Sequence, residues 1–117
     1  MSIGVSVQTN GEYMFVSLTG ELDQSTTGQV KTRLMTTLAA HDVRHIVFNL
    51  KNLTFMDSSG IGIILGRYNQ VKSLGGQVFV LGMNPTVNKV FHMAGLSQII
   101  TIIDDEKQIT NMLEEAI

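Results

Sequence analysis

Hydrophobic positions along the chain change period several times, and each change marks an element. Ile3, Val5 and Val7 alternate with small or polar residues, and Met14, Val16 and Leu18 do the same. Period two reads as a strand with one buried face. Asn10-Gly11 between the two stretches is a strong two-residue hairpin signal. Val30, Leu34 and Leu38 then recur at helical spacing. They predict a helix from about Ser25 to Ala40, with Asp23 and Ser25 as candidate caps. Ile46-Val47-Phe48-Asn49-Leu50 is nearly continuous and apolar, as a strand covered on both faces would be. A helix is expected from about Ser58 to Leu74, stopped by Gly75-Gly76, and then a buried strand over Val78–Leu81. Asn84-Pro85 opens a short helix with Val87, Val90, Phe91 and Ala94 inward and Gly95 at its end. Ile99–Ile103 reads as the last strand. Asp104-Asp105-Glu106 puts negative charge at the start of a final helix, whose stripe is Ile109, Met112, Leu113 and Ala116.

The order is β-β-α-β-α-β-α-β-α. It predicts an α/β fold: a mixed sheet of about five strands, opened by an antiparallel hairpin, with about four helices packed on it. With 117 residues the chain fits a single domain over 1–117. Composition narrows the possibilities. Hydrophobic residues make up 44%, enough for a core, and charged residues only 15%, so charge-rich disorder is excluded. A net charge of -2 offers no broad basic face for nucleic acid or an acidic membrane. The absence of cysteine removes disulfides, thiol nucleophiles and thiolate metal sites. Met1-Ser2-Ile3-Gly4-Val5 lacks the basic region and apolar stretch of a signal peptide, and no apolar run approaches the ~20 residues of a membrane helix. A cytoplasmic protein is expected.

The stretch Leu53-Thr54-Phe55-Met56-Asp57-Ser58-Ser59-Gly60-Ile61-Gly62 joins a buried strand to a helix start. Sites in open α/β sheets collect at the carboxyl ends of strands. One reading is plain helix capping by Asp or Ser. The glycines favour another. Gly60, Gly62 and Gly66 each cost about 1 kcal/mol against alanine inside a helix. At about 100° per residue, Ile61, Ile64, Leu65, Tyr68 and Val71 fall on one arc, expected to face the core. Ser58, Gly62, Gly66, Asn69 and Ser73 fall opposite, with Ile63 beside them as the exposed aliphatic. Such a smooth strip suits docking by another protein. The glycines equally permit tight packing on a neighbouring helix. A serine at a helix start also suits phosphorylation, because free N–H groups and the helix dipole accept a phosphate without unfolding.

Several segments together resemble the STAS family of anti-sigma factor antagonists. They are Leu18-Thr19-Gly20-Glu21-Leu22-Asp23, Arg44-His45-Ile46-Val47, Phe55-Met56-Asp57-Ser58-Ser59-Gly60, Ile64-Leu65-Gly66-Arg67-Tyr68 and Met93-Ala94-Gly95-Leu96. They fall in family order across essentially the whole chain, and are most similar to antagonists of the anti-sigma-F factor of endospore-forming bacteria. The resemblance implies a STAS-type fold and a binding protein, not an enzyme. It implies that the unphosphorylated form binds an anti-sigma factor that is also a serine kinase, releasing the sigma factor for sporulation transcription. It implies phosphorylation at Ser58 by that kinase, with the nucleotide held by the partner, and reversal by a PP2C-type phosphatase. Asp23 carries over to the same recognition surface as Asp57, Ser58, Ser59, Gly60, Gly62, Ile63 and Gly66. The loop from Asp23 to Thr27 is expected beside Ser58, and Ser59 is assigned to capping. The free chain is expected to be a monomer. An alternative within the family is a switch or binding module of another stress-response or sensory cascade.

Rival chemistry finds little support. A serine nucleophile needs a base, and His41, His45 and His92 sit in no recognisable triad. They also lack metal-ligand spacing, so no metal is expected. Gly60-Ile61-Gly62-Ile63-Ile64-Leu65-Gly66 has one residue too many for a dinucleotide fingerprint, and no acidic residue follows at the required distance. No cofactor is expected.

Overall fold

The computed structural model describes residues 2–105, 107, 108, 110, 111 and 114. Five strands form one sheet in sequential order: β1 (Ile3–Asn10), β2 (Tyr13–Leu22), β3 (His45–Met56), β4 (Val78–Leu81) and β5 (Thr101–Ile103). β1 and β2 are antiparallel, and β2 to β5 run parallel. Three helices make the crossovers: α1 (Thr27–Ala40), α2 (Ser58–Lys72) and α3 (Pro85–Met93). A 3-10 turn over Leu96–Gln98 leads into β5. The Cα radius of gyration, 13.1 Å, is that of one domain of this length, about 13 Å.

The topology dictates where the helices lie. Each parallel step adds the next strand on the same side of the last, and such crossovers are right-handed. All three helices therefore land on one face. Val30 and Leu34 of α1, Ile64 and Val71 of α2, and Val87 and Phe91 of α3 share one core with Met14, Val16, Leu18, Ile46, Phe48, Leu50, Val78 and Val80. The alternate strand residues Val47, Phe79, Leu81 and Ile103 form a smaller buried cluster on the other face, with Tyr13 and Phe15 against it. This accounts for the unbroken apolar runs in β3 and β4. The stripe of the expected fourth helix, Ile109, Met112, Leu113 and Ala116, lies outside the described residues. Ahead of it, Asp105 Oδ1 accepts from the N–H groups of Lys107 at 2.8 Å and Gln108 at 3.3 Å, a capping arrangement.

Several boundaries differ from the sequence reading for local reasons. The hairpin closes on Asn10↔Tyr13, so its turn is Gly11-Glu12, one residue further on. Gly11 takes the first central position at φ 59°, and Glu12 stays at negative φ, as a II′-type turn requires. β3 continues past its apolar run to Met56, because β2 accompanies it through two register shifts. The last strand begins at Thr101, since Ile99 closes the 3-10 turn and is 43% exposed. α1 starts at Thr27, because the residues before it fold into a side-chain-bonded loop. Asn84 caps α3 as expected, its Oδ1 accepting from Val87 N–H at 2.8 Å.

α2 is rotated from its expected pose. Its buried residues are Gly60, Ile63, Ile64, Arg67 and Val71, an arc turned by roughly 80° from the one the hydrophobic pattern suggests. Arg67 sits in the middle of that arc, 8% exposed, its aliphatic stem standing where a hydrophobe would be counted. Its Nε and Nη1 find no acceptor among the described residues, and burial pushes its pKa down. Buried donors without partners destabilise. Arg67→Met keeps the stem and removes those donors. It should raise the melting temperature by about 3–6 °C for each kcal/mol regained. A fall in Tm by calorimetry would show instead that the guanidinium stabilises the fold.

Candidate functional site

Leu22 and Met56 are paired at the ends of the parallel neighbours β2 and β3. The two chains leave the sheet together there, and Asp57 N–H donates to Leu22 O at 3.3 Å. The Asp23–Thr27 loop thus lies beside Ser58, as expected. α2 then begins directly above both strand ends. Gly60 is buried there, and a Cβ on it would stand 2.6 Å from Met56 Cγ and 2.9 Å from Leu22 Cγ. No other residue allows the first turn of α2 to sit so low. Gly62 and Gly66 differ, since a Cβ at either meets nothing within 4 Å. Both readings of the glycines therefore hold, each for different residues: Gly60 is a packing glycine, while Gly62 and Gly66 leave the outer helix face bare.

The helix start is organised by Asp57. Its Oδ1 accepts from Ser59 N–H at 2.9 Å and Gly60 N–H at 3.4 Å, making it the N-cap. Capping thus belongs to Asp57 and not to the Ser59 hydroxyl. Ser58 is the first residue of α2, exposed, and its hydroxyl makes no hydrogen bond among the described residues. Along the outer face follow Gly62, Leu65, Gly66 and Asn69, with Leu65 37% exposed. Here the rotation of α2 corrects the sequence reading. Ile63 is only 7% exposed and belongs to the core, while Leu65 supplies the outward aliphatic.

Asp23 is also placed differently from a surface contact. It is 7% exposed, and its Oδ1 accepts from Ser25 Oγ at 2.6 Å, Ser25 N–H at 2.9 Å and Thr26 N–H at 3.2 Å. Thr26 Oγ1 returns the bond, accepting from Asp23 N–H at 2.9 Å and donating to Glu21 O at 2.9 Å. This knot fixes the loop and leaves Gln24 and Ser25 outward. The Ser25 hydroxyl, then the Ser25 and Thr26 amides, hold the Asp23 carboxyl below its ordinary pKa against the opposing effect of burial. Sequence reasoning missed Thr26, whose position three residues after an Asp was the available signal.

The histidines do not join this site as a catalytic group. His41 and His92 are exposed. His45 lies at the opposite end of β3 from Ser58. Its Nδ1 accepts from Gln77 N–H at 3.1 Å, its ring is 4.8 Å from that of Tyr13, and burial lowers its pKa. Among the described residues no group of three or more His, Asp or Glu could hold a metal ion. Among the described residues no helix is long and apolar enough to cross a membrane.

Two outcomes test this geometry. Gly60→Ala should destabilise by about 1–3 kcal/mol through overpacking, whereas Gly62→Ala should stabilise by up to about 1 kcal/mol. Thermal unfolding of both variants checks the contrast. For Asp23, a depressed pKa in the folded state means that its stabilisation is fully present above the unfolded carboxyl's range and is lost as pH falls through the folded pKa. Asp23→Asn should therefore lower Tm at neutral pH, with the gap to wild type closing on acidification. A gap independent of pH would remove the carboxylate from the account.

Comparison with known proteins places this geometry in a family. The STAS domain model matches residues 4–109. An anti-sigma F factor antagonist of Paenibacillus polymyxa is 38% identical over 97% of each chain. An anti-sigma-B factor antagonist of Staphylococcus aureus is 24% identical over 87% of this chain and 94% of its own. Among solved structures, the anti-sigma factor antagonist SpoIIAA in its unphosphorylated form superposes with a TM-score of 0.83, at 30% identity over 96% of this chain and 97% of that one. The phosphorylated form of the Bacillus cell fate determinant SpoIIAA gives 0.74, at 30% identity over 93% and 99%. With one STAS domain and this similarity along its length, the chain belongs to the STAS family, among the anti-sigma factor antagonists.

Proposed function

We propose that the unphosphorylated chain binds an anti-sigma factor that is itself a serine kinase, frees a sigma factor for sporulation transcription, and is inactivated by phosphorylation at Ser58. A PP2C-type phosphatase restores the active form. The nucleotide belongs to the kinase, and this chain acts by binding in the cytoplasm, not by catalysis. The observation that carries the reading is the exposed Ser58 hydroxyl at the first position of α2, at the head of a face bared by Gly62 and Gly66. Asp57 and Ser59 flank the serine. Gln24 and Ser25, held by the Asp23 knot, border the docking face, and Leu65 supplies its apolar contact. Gly60 and Ile63 support that face from beneath.

The proposed switch is electrostatic. A phosphate adds about two negative charges at a helix N-terminus, where the dipole tolerates them. The fold is kept, and a face whose outward residues are uncharged gains a concentrated negative charge. A hundredfold loss of affinity needs only about 2.7 kcal/mol, which one like-charge or desolvation clash at an interface supplies. A STAS module of a stress-response cascade would share this switch and differ in its kinase, and the similarity to an anti-sigma-B factor antagonist supports keeping that partner in the test.

Incubation with each candidate anti-sigma kinase and ATP, followed by peptide mapping by mass spectrometry, tests the reading. One phosphate is expected, on Ser58, from the cognate kinase. Ser58→Ala should bind that kinase and take up no phosphate. Ser58→Asp should fold with an unchanged Tm and bind at least about tenfold more weakly, a difference of about 1.4 kcal/mol, by calorimetry. Normal phosphate incorporation into Ser58→Ala would overturn the assignment of the site.

A further inference from the structure

β1 is an edge of the sheet, and its open side lacks the features that usually keep edges apart. Its eight residues, Ile3–Asn10, include no charged residue and no proline. Its register with β2 runs without a shift from Ile3↔Gly20 to Asn10↔Tyr13. Edge strands are commonly protected by lysine, proline, bulges or shortness. The opposite edge, β5, is protected by shortness, with three residues and the acidic pair Asp104-Asp105 behind it. β1 has none of these.

The hairpin determines which backbone groups are open. In an antiparallel pair, alternate residues exchange both bonds with the neighbouring strand, and those between point away from it. Asn10 and Tyr13 close a two-residue turn as a bonded pair, and at the far end Glu21 N–H donates to Ser2 O at 3.1 Å. Even-numbered residues of β1 therefore bond to β2. The N–H and C=O groups of Ile3, Val5, Val7 and Thr9 point to the open side.

We propose that a second copy of this chain pairs with this edge, β1 against β1, antiparallel about a two-fold axis at Ser6. That register sets Ile3 opposite Thr9 of the second copy and Val5 opposite Val7 of the second copy, all of them open-side residues. It also keeps the helix-covered faces of both sheets on one side, as a register shifted by one residue would not. Self-pairing is favoured by the absence of charge on the strand itself, because a charged strand residue beside a two-fold axis meets its own image. Ser6 at the axis is small and exposed on the face away from the helices. A recess of about 260 Å³ lies against the strand, between Val5 and the α1 residues Gln29, Thr32, Arg33 and Thr36. The paired strands form a far smaller contact than the about 1,600 Å² of a standard interface, so the dimer is weak and the chain is monomeric at micromolar concentration. The pairing is independent of the Ser58 face, which lies at the ends of β2 and β3.

Sedimentation equilibrium of the full chain over about 0.01–1 mM tests this. The mass should climb from 12.8 kDa toward twice that value. Ser6→Lys sets two like charges at the axis and should hold the chain monomeric at an unchanged Tm. Ser6→Cys gives the chain one thiol at a non-bonded position, where paired Cα atoms lie about 4.5 Å apart, within disulfide range. Mild oxidation should then yield at least about tenfold more covalent dimer than the exposed control Lys72→Cys. A chain that stays monomeric to about 1 mM, a dimer that Ser6→Lys leaves intact, or equal cross-linking of the two cysteine variants would overturn the proposal.

Discussion

The parallel pairing of β2 with β3 at Leu22↔Met56 is the constraint on which the rest of the site depends. It brings two loops, distant in sequence, to one sheet end. The Asp57 N–H bond to Leu22 O continues the pairing past the last strand residue. Gly60 then allows α2 to start directly on that platform. A side chain there would lift the helix, and with it the serine, away from the Asp23 loop. The position of Ser58 follows from one strand pair and one missing Cβ, and Asp57 caps the helix it opens.

Most of the fold was legible because the hydrophobic period changes cleanly. The strands alternate or run continuously apolar according to how many faces they bury, and Asn84-Pro85 announces the start of α3. Boundaries were less legible where backbone pairing overrides side-chain pattern. β3 beyond Leu50 carries Lys51, Asn52 and Thr54, which are exposed, yet it remains a strand because β2 follows it. The 3-10 turn before β5 consumes an apolar stretch that reads as strand. In each case a partner in space, not a residue in the sequence, set the limit.

The site was legible in its residues and less so in their roles. Asp57, Ser58, Ser59 and the glycines were picked out together, and they do lie together. The helix face was misjudged because Arg67 counts as polar in any periodicity argument, while its stem is buried. That single side chain moves the centre of the buried arc, exchanging Ile63 for Leu65 at the surface. Asp23 was assigned to the surface by resemblance, yet its carboxylate is spent on Ser25 and Thr26. It shapes the neighbouring loop without presenting itself.

The distance in sequence between β2 and β3 has a consequence in time. Tyr13 pairs with His45 across the whole of α1, and parallel strands cannot meet without such a crossover. Contacts of this kind carry the entropic cost of closing the intervening loop before they gain any pairing. The platform under Ser58 therefore exists only once that crossover has closed. A ribosome-bound or partly folded chain carries the serine but not the surface around it. Any partner that reads the surface, and not the peptide, is thereby restricted to finished molecules.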